Sequence, residues 1–193
     1  VVKDDLSVEQ KAAVEYLCQN KDLRCVVGYA GTGKTYMLQA AKEIWEDNGY
    51  RVTGVALSGI AAQGMEKGAG LKSTTVARRL LDWENNRERL NNKDILVIDE
   101  AGMLGTRDIS KLVSEAKKAN AKIVMLGDPQ QLQAIEAGAA FRGIVEREGC
   151  LKMGDVRRQE IDWQREATKM LAVGKVDEAL QAYSNEKLIF SCN

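Results

Sequence analysis

Eight consecutive residues, Gly28-Tyr29-Ala30-Gly31-Thr32-Gly33-Lys34-Thr35, match the pattern G-x-x-x-x-G-K-(S/T). The chemistry such a run can do is to hold a phosphate chain. Glycines let the backbone curl until its N–H groups face the β-phosphate, and a helix starting there adds about half a positive charge. Lys34 supplies a mobile cation expected to bridge the β- and γ-phosphates of ATP, while the Thr35 hydroxyl is expected to ligate Mg2+. The expected nucleotide-binding set is therefore Gly28, Ala30, Gly31, Thr32, Gly33, Lys34, Thr35 and Tyr36. The plain alternative is a glycine-rich turn that only caps a helix. With glycine near 7% of residues, a chance match is expected in roughly one chain of this length per hundred.

A second group follows 65 residues beyond Lys34. Ile95-Leu96-Val97-Ile98-Asp99-Glu100 reads as an apolar strand delivering two carboxylates at its C-terminal end, where ligands sit in open α/β sheets. Asp99 can hold magnesium through water. Glu100 can then orient and deprotonate an attacking water, which suits hydrolysis better than transfer to a bound acceptor. An Asp-Glu pair alone is a common solvated turn; the upstream phosphate loop makes that reading improbable.

These groups need a sheet to position them. Apolar runs at Leu23 to Val27, Val52 to Leu57, Ile95 to Ile98 and Ile123 to Leu126 read as strands buried on both faces. Helical patterns alternate with them. Ser7-Val8-Glu9-Gln10 forms a capping box before a helix running to about Cys18, and Lys34 to Asn48 is a helix stopped by Gly49. Thr106 is expected to cap another, with Ile109, Leu112, Val113 and Ala116 on one face. This order predicts an α/β fold: a mostly parallel sheet with helices on both faces. Trp163 to Tyr183 reads as two helices broken at Gly174. Trp45 and Met37 fall on the apolar side of the post-loop helix. Around Arg78 and Arg79 the pattern predicts a solvated helix face carrying core Leu80 and Leu81.

Composition removes other chemistries. The chain has 193 residues and no histidine, so Ser-His and Cys-His pairs, His-ligated zinc and His general bases are excluded; no zinc is expected. The four cysteines include no C-x-x-C pair and read as small buried hydrophobes in a reducing compartment. No apolar run approaches the ~20 residues needed to span a bilayer, and no signal-peptide pattern stands at Val1, so a cytoplasmic protein without membrane contact is expected. Lys plus Arg and Asp plus Glu both total 28, so any nucleic-acid binding must come from a local surface.

With these motifs together, the chain resembles the first RecA-like domain of superfamily-1 DNA helicases. Leu6-Ser7-Val8-Glu9-Gln10 looks like the adenine-reading segment, with Gln10 as its glutamine. Asp99-Glu100-Ala101-Gly102-Met103 looks like motif II. Gly127-Asp128-Pro129-Gln130-Gln131-Leu132 looks like motif III, which implies that Gln131 senses the γ-phosphate. Val156-Arg157-Arg158-Gln159 looks like motif IV, which implies an arginine, assigned to Arg158, at the same phosphate. Val55 to Ala62 and Ser73-Thr74-Thr75 resemble segments that contact single-stranded DNA, which makes Ser58, Gly59, Thr74 and Thr75 the implied contacts. Hydroxyls and backbone N–H groups position phosphates without reading bases, so the implied binding is sequence-independent. For Ser58 and Thr75 the alternative is helix capping.

Asp-Glu-Ala-Gly-Met and Gly-Asp-Pro-Gln-Gln-Leu are more similar to the RecD-like, 5′-to-3′ branch. Glu136 to Arg142 and Val156 to Gln159 followed by Trp163 to Ala167 look like the helicase portion of TraA-type conjugative relaxases. Nicking is not carried over, since the relaxase module relies on a histidine cluster that this chain lacks. The resemblance implies a RecA-like P-loop ATPase domain over residues 1–193, with about 160–193 a helical extension. It also implies a second RecA-like domain as partner, because ATP in such motors lies between two of them. The alternatives are a RecD-like DNA-repair helicase domain and a P-loop kinase acting on a small molecule.

Overall fold

The computed structural model describes residues 5–29, 31–128, 139–154, 162–172, 174–186 and 188. Along the chain run α1 (Val8–Cys18), β1 (Leu23–Gly28), α2 (Lys34–Asp47), β2 (Arg51–Ala56), α3 (Gly59–Ala69), β3 (Ser73–Thr75) and α4 (Val76–Glu84). There follow β4 (Asp94–Ile98), a 3₁₀ turn (Ala101–Met103), α5 (Thr106–Ala119), β5 (Lys122–Gly127), α6 (Ala139–Glu148), β6 (Leu151–Met153), α7 (Asp162–Ala172) and α8 (Val176–Asn185). The strands form one sheet in the order β3-β2-β4-β5-β1-β6. Every pairing is parallel.

The apolar runs have a two-sided explanation. Successive strand residues point to opposite faces, and here each face has its own core. Val26, Ile95, Val97, Val124 and Leu126 meet α1, α2 and α3 on one side, together with Met37 and Trp45. Cys25, Leu96, Ile98, Ile123 and Met125 meet α4, α5 and α6 on the other, together with Phe141. Burying each such side chain is worth about 1.5–3 kcal/mol, so the four central strands are fixed by both layers. Burial pushes the Cys25 thiol up to about 12, with Cys150 and Glu148 adding to it, so this cysteine is protonated and unreactive at neutral pH. Cys18 and Cys150 are half-buried, and Cys192 lies outside the described residues. Among the described residues no helix is long and apolar enough to cross a membrane.

The caps follow the sequence in α1 and α2. Ser7 Oγ accepts from the Gln10 N–H at 3.1 Å, and Gln10 Oε1 accepts from the Ser7 N–H at 3.0 Å. Helix α2 ends at Asp47, with Gly49 left-handed at φ +78°. The two tail helices fall on either side of left-handed Gly174, as the pattern predicts, with Trp163 and Tyr183 edge to face at 5.1 Å.

Several expectations are corrected. Thr106 is the first residue of α5, not its cap; Gly105 holds that position and no side chain caps it. β2 stops at Ala56, leaving Leu57 44% exposed. Around α4 two positions depart from the expected face, Arg79 at 2% and Leu81 at 49% exposed, while Arg78 is exposed and Leu80 packs against the core as expected; Trp83 is 3% exposed. The burial of Arg79 is made possible by Glu88, whose carboxylate accepts from it at 2.8 Å and whose carbonyl accepts from Trp83 Nε1 at 3.0 Å. Lys72, 3.0 Å away, and Arg79 hold the Glu88 carboxyl below its ordinary value.

Candidate nucleotide site

The phosphate loop begins where β1 is fully enclosed. Gly31 and Gly33 stand at φ +87° and +79°, a region that costs other residues strain. A Cβ on Gly28 would lie 2.8 Å from Thr32 Oγ1. Thr32 closes the loop on itself, donating from N–H and hydroxyl to the Tyr29 carbonyl at 3.3 and 2.9 Å. Lys34 Nζ donates to the carbonyls of Gly28 at 2.5 Å and Tyr29 at 2.9 Å, so its ammonium is held over the loop. Gly33 opens α2 without a capping side chain, which leaves the first-turn N–H groups for an anion. Thr35 is exposed in that first turn, and the half-buried Tyr36 donates its hydroxyl to Asp5.

Gln10 has a specific position. It is 1% exposed, accepts from the Ser7 N–H, and donates from Nε2 to the Gly33 carbonyl at 3.3 Å. α1 thereby braces the loop.

Asp99 and Glu100 follow the end of β4. The Asp99 N–H donates to the Val55 carbonyl at 2.9 Å, continuing the strand. Glu100 then turns left-handed at φ 53°, ψ 35°, and its N–H donates to Asp99 Oδ1 at 2.9 Å. A glutamate in this region is strained, and the bond to Asp99 helps hold the turn. Burial pushes the Asp99 carboxyl up, against the Glu100 N–H and Lys34, which pull it down. For Glu100 burial and then the Asp99 charge push up, and again Lys34 pulls down. The loop lysine is thus close enough to act on both carboxylates.

The strand order explains this convergence. β5 lies between β1 and β4, so the phosphate loop and the carboxylate pair leave the same C-terminal end of the sheet roughly 10 Å apart, two strand spacings. The end of β5 sits between them. It packs closely there: a Cβ on Gly102 would meet the Asp128 carbonyl at 2.9 Å, and one on Gly127 would meet Phe141 at 2.6 Å.

Ala30, Gln131 and Arg158 lie outside the described residues. Ser58 Oγ accepts from the Ala61 N–H at 3.1 Å and Thr75 Oγ1 from the Arg78 N–H at 3.2 Å, so both hydroxyls cap helices, α3 and α4. Gly59 is the exposed first residue of α3, and Thr74 is half-buried in the edge strand β3. One contact has no signal in the sequence: Gly68 of α3 abuts the Thr35 methyl. Helical glycines carry no periodic pattern, and the contact requires the fold.

The donor set, a hydroxyl oxygen from Thr35 and a carboxylate from Asp99, is of the chemistry that fits a hard divalent ion. When bound, magnesium neutralises charge on the phosphate oxygens. For a bound nucleotide the chain would offer loop N–H groups and Lys34 to the phosphates, and Glu100 as a carboxylate that could take a proton from water.

A family model described as an AAA domain matches residues 5–192. The chain belongs to the AAA domain family. This AAA domain is 49% identical to the conjugal transfer protein TraA of Rhizobium radiobacter over 92% of the chain and 16% of that protein. It is 29% identical to the ATP-dependent RecD2 DNA helicase of Deinococcus radiodurans over 80% of the chain and 22% of that protein. The AAA domain therefore spans about a sixth of the TraA relatives it matches. Its fold is shared with the Pif1 helicase from Candida albicans, with a TM-score of 0.69 and 20% identity over 97% of the chain and 49% of that structure. These relatives bear out the resemblance to RecA-like domains of superfamily-1 helicases.

Proposed function

We propose that this domain binds magnesium–ATP and hydrolyses it as the motor of a DNA helicase or translocase in conjugative DNA transfer. The observation that carries the reading is the convergence, at the C-terminal end of a parallel sheet, of a phosphate loop holding Lys34 with the Asp99–Glu100 pair. The TraA likeness supports the conjugative setting, and the RecD2 likeness supports ATP-dependent work on DNA. Single-stranded DNA, held without base reading, is the proposed track, with Gly59 and Thr74 near its path and Ser58 and Thr75 shaping it. A second RecA-like domain closes on the nucleotide and brings the other wall of the cleft. Gln131 senses the γ-phosphate, the direction is 5′-to-3′, and the site of action is the cytoplasm.

The deciding experiment is the ATPase rate with and without single-stranded DNA. Stimulation is expected in a two-domain version, whereas residues 1–193 alone are expected to bind strands weakly, more weakly with salt, and not to separate a duplex. A phosphorylated small-molecule product in place of free phosphate would make the domain a kinase. Lys34→Ala is expected to weaken ATP binding, because it removes the ammonium that neutralises the β- and γ-phosphates. Calorimetry checks this, and equal affinity in Lys34→Ala and the parent would sink the assignment.

A further inference from the structure

Helices α2 and α3 meet at the first turn of α2. A Cβ built on Gly68 would stand 2.4 Å from Thr35 Cγ2 and 3.7 Å from Thr35 Cβ, so the absent side chain is the space the threonine methyl fills. Gly68 is not among the residues with positive φ, and nothing in its backbone calls for glycine. Glycine inside a helix is disfavoured relative to alanine. One turn earlier, a Cβ on Gly64 would meet nothing within 4 Å. The steric reason for glycine is thus local to position 68.

A threonine side chain has few χ1 wells. Its Cβ is chiral, so a methyl lodged against α3 fixes where the hydroxyl stands. We propose that Gly68 is a positioning residue: by admitting the Thr35 methyl, it holds the rotamer that turns Thr35 Oγ1 toward the magnesium ion. The proposal rests on the reading above, in which that hydroxyl is a metal ligand. α3 is not free to retreat from an added methyl, since Ala62, Met65 and Ala69 are buried and both of its ends are capped. With alanine at 68, Thr35 leaves its well and Oγ1 leaves with it. Gly68→Ala adds no charge and removes no hydrogen bond, so the overlap with the Thr35 methyl is the change it introduces at this contact.

The test is calorimetric titration of ATP, in magnesium and in EDTA, into the parent chain, Gly68→Ala, Thr35→Ser and the double variant. Serine keeps the hydroxyl and lacks the methyl that alanine would strike. Gly68→Ala is expected to lose roughly ten- to hundredfold of the affinity gained from magnesium, with its affinity in EDTA at the parent level. The double variant is expected to return to the level of Thr35→Ser. Parental magnesium dependence in Gly68→Ala, or a double variant no better than Gly68→Ala, overturns the proposal. Should Gly68→Ala not fold, the double variant is compared with Thr35→Ser alone: equal magnesium dependence supports the proposal and a lower one overturns it. A parent chain that binds ATP equally in magnesium and EDTA refutes instead the nucleotide-site reading beneath it.

Discussion

Glu100→Gln is expected to keep ATP bound and to lower DNA-stimulated turnover by ~10² or more. Glutamine keeps the length and hydrogen-bonding shape of the side chain but cannot accept the water proton. Its backbone can occupy the left-handed turn at φ 53° as glutamate does, and the bond to Asp99 Oδ1 is donated by the main-chain N–H of residue 100, which the change leaves in place. Asp99 is the poorer candidate for the base, because it closes the strand, bonded through its N–H to Val55, and faces the metal in the proposed site. The measurement is phosphate release at saturating ATP in a two-domain version, beside nucleotide affinity. Unchanged turnover would move the base elsewhere, and lost affinity would make Glu100 a binding group.

Arg158→Ala is expected to reduce that same turnover further, by ~10³ to 10⁵, with a modest loss of ATP affinity. Charge builds on the γ-phosphoryl oxygens during hydrolysis, and a guanidinium presents a fixed fork of donors to them. Such an interaction strengthens as the charge develops, so the loss appears in rate more than in binding. Arg157 is the control, since adjacent side chains diverge and only one of the two can face the nucleotide; Arg157→Ala is expected to be tolerated. A surface ion pair at either position would be worth at most about 1 kcal/mol and would leave both variants active. The reverse pattern would shift the assignment by one residue.

The site was legible because its chemistry is contiguous in sequence. Eight residues make the loop and two make the carboxylate pair, each at the end of a strand marked by an apolar run. The same runs mark the four central strands, since burial on both faces leaves them mostly apolar, with Arg24 in the β1 run and Thr53 in the β2 run as buried polar exceptions. The two outer strands escaped, and for the opposite reason: β3 is the three polar residues Ser73–Thr75 and β6 only Leu151–Met153, held by neighbours rather than by composition. Arg79 was misassigned because its burial depends on Glu88, nine residues on, in a loop whose path no local pattern encodes. The capping roles of Ser58 and Thr75 were visible as alternatives and needed the distances to decide them.

The position of β5 has a further consequence, for the order in which a nascent chain can assemble. β1 emerges early, yet its neighbours are β5 and β6, and the register joins Leu23 to Ile123 and Val26 to Leu151. Until about Gly127 has been synthesised, the strand that carries the phosphate loop has no partner on either edge. Contacts so distant in sequence are slow to close, and an unpaired apolar strand is prone to associate with other chains. β2 and β4, by contrast, can pair with each other once Ile98 is made. The proposed nucleotide site is therefore completed only after β5 has joined β1 to β4, and a nucleotide held there would favour the chain in which that closure has taken place.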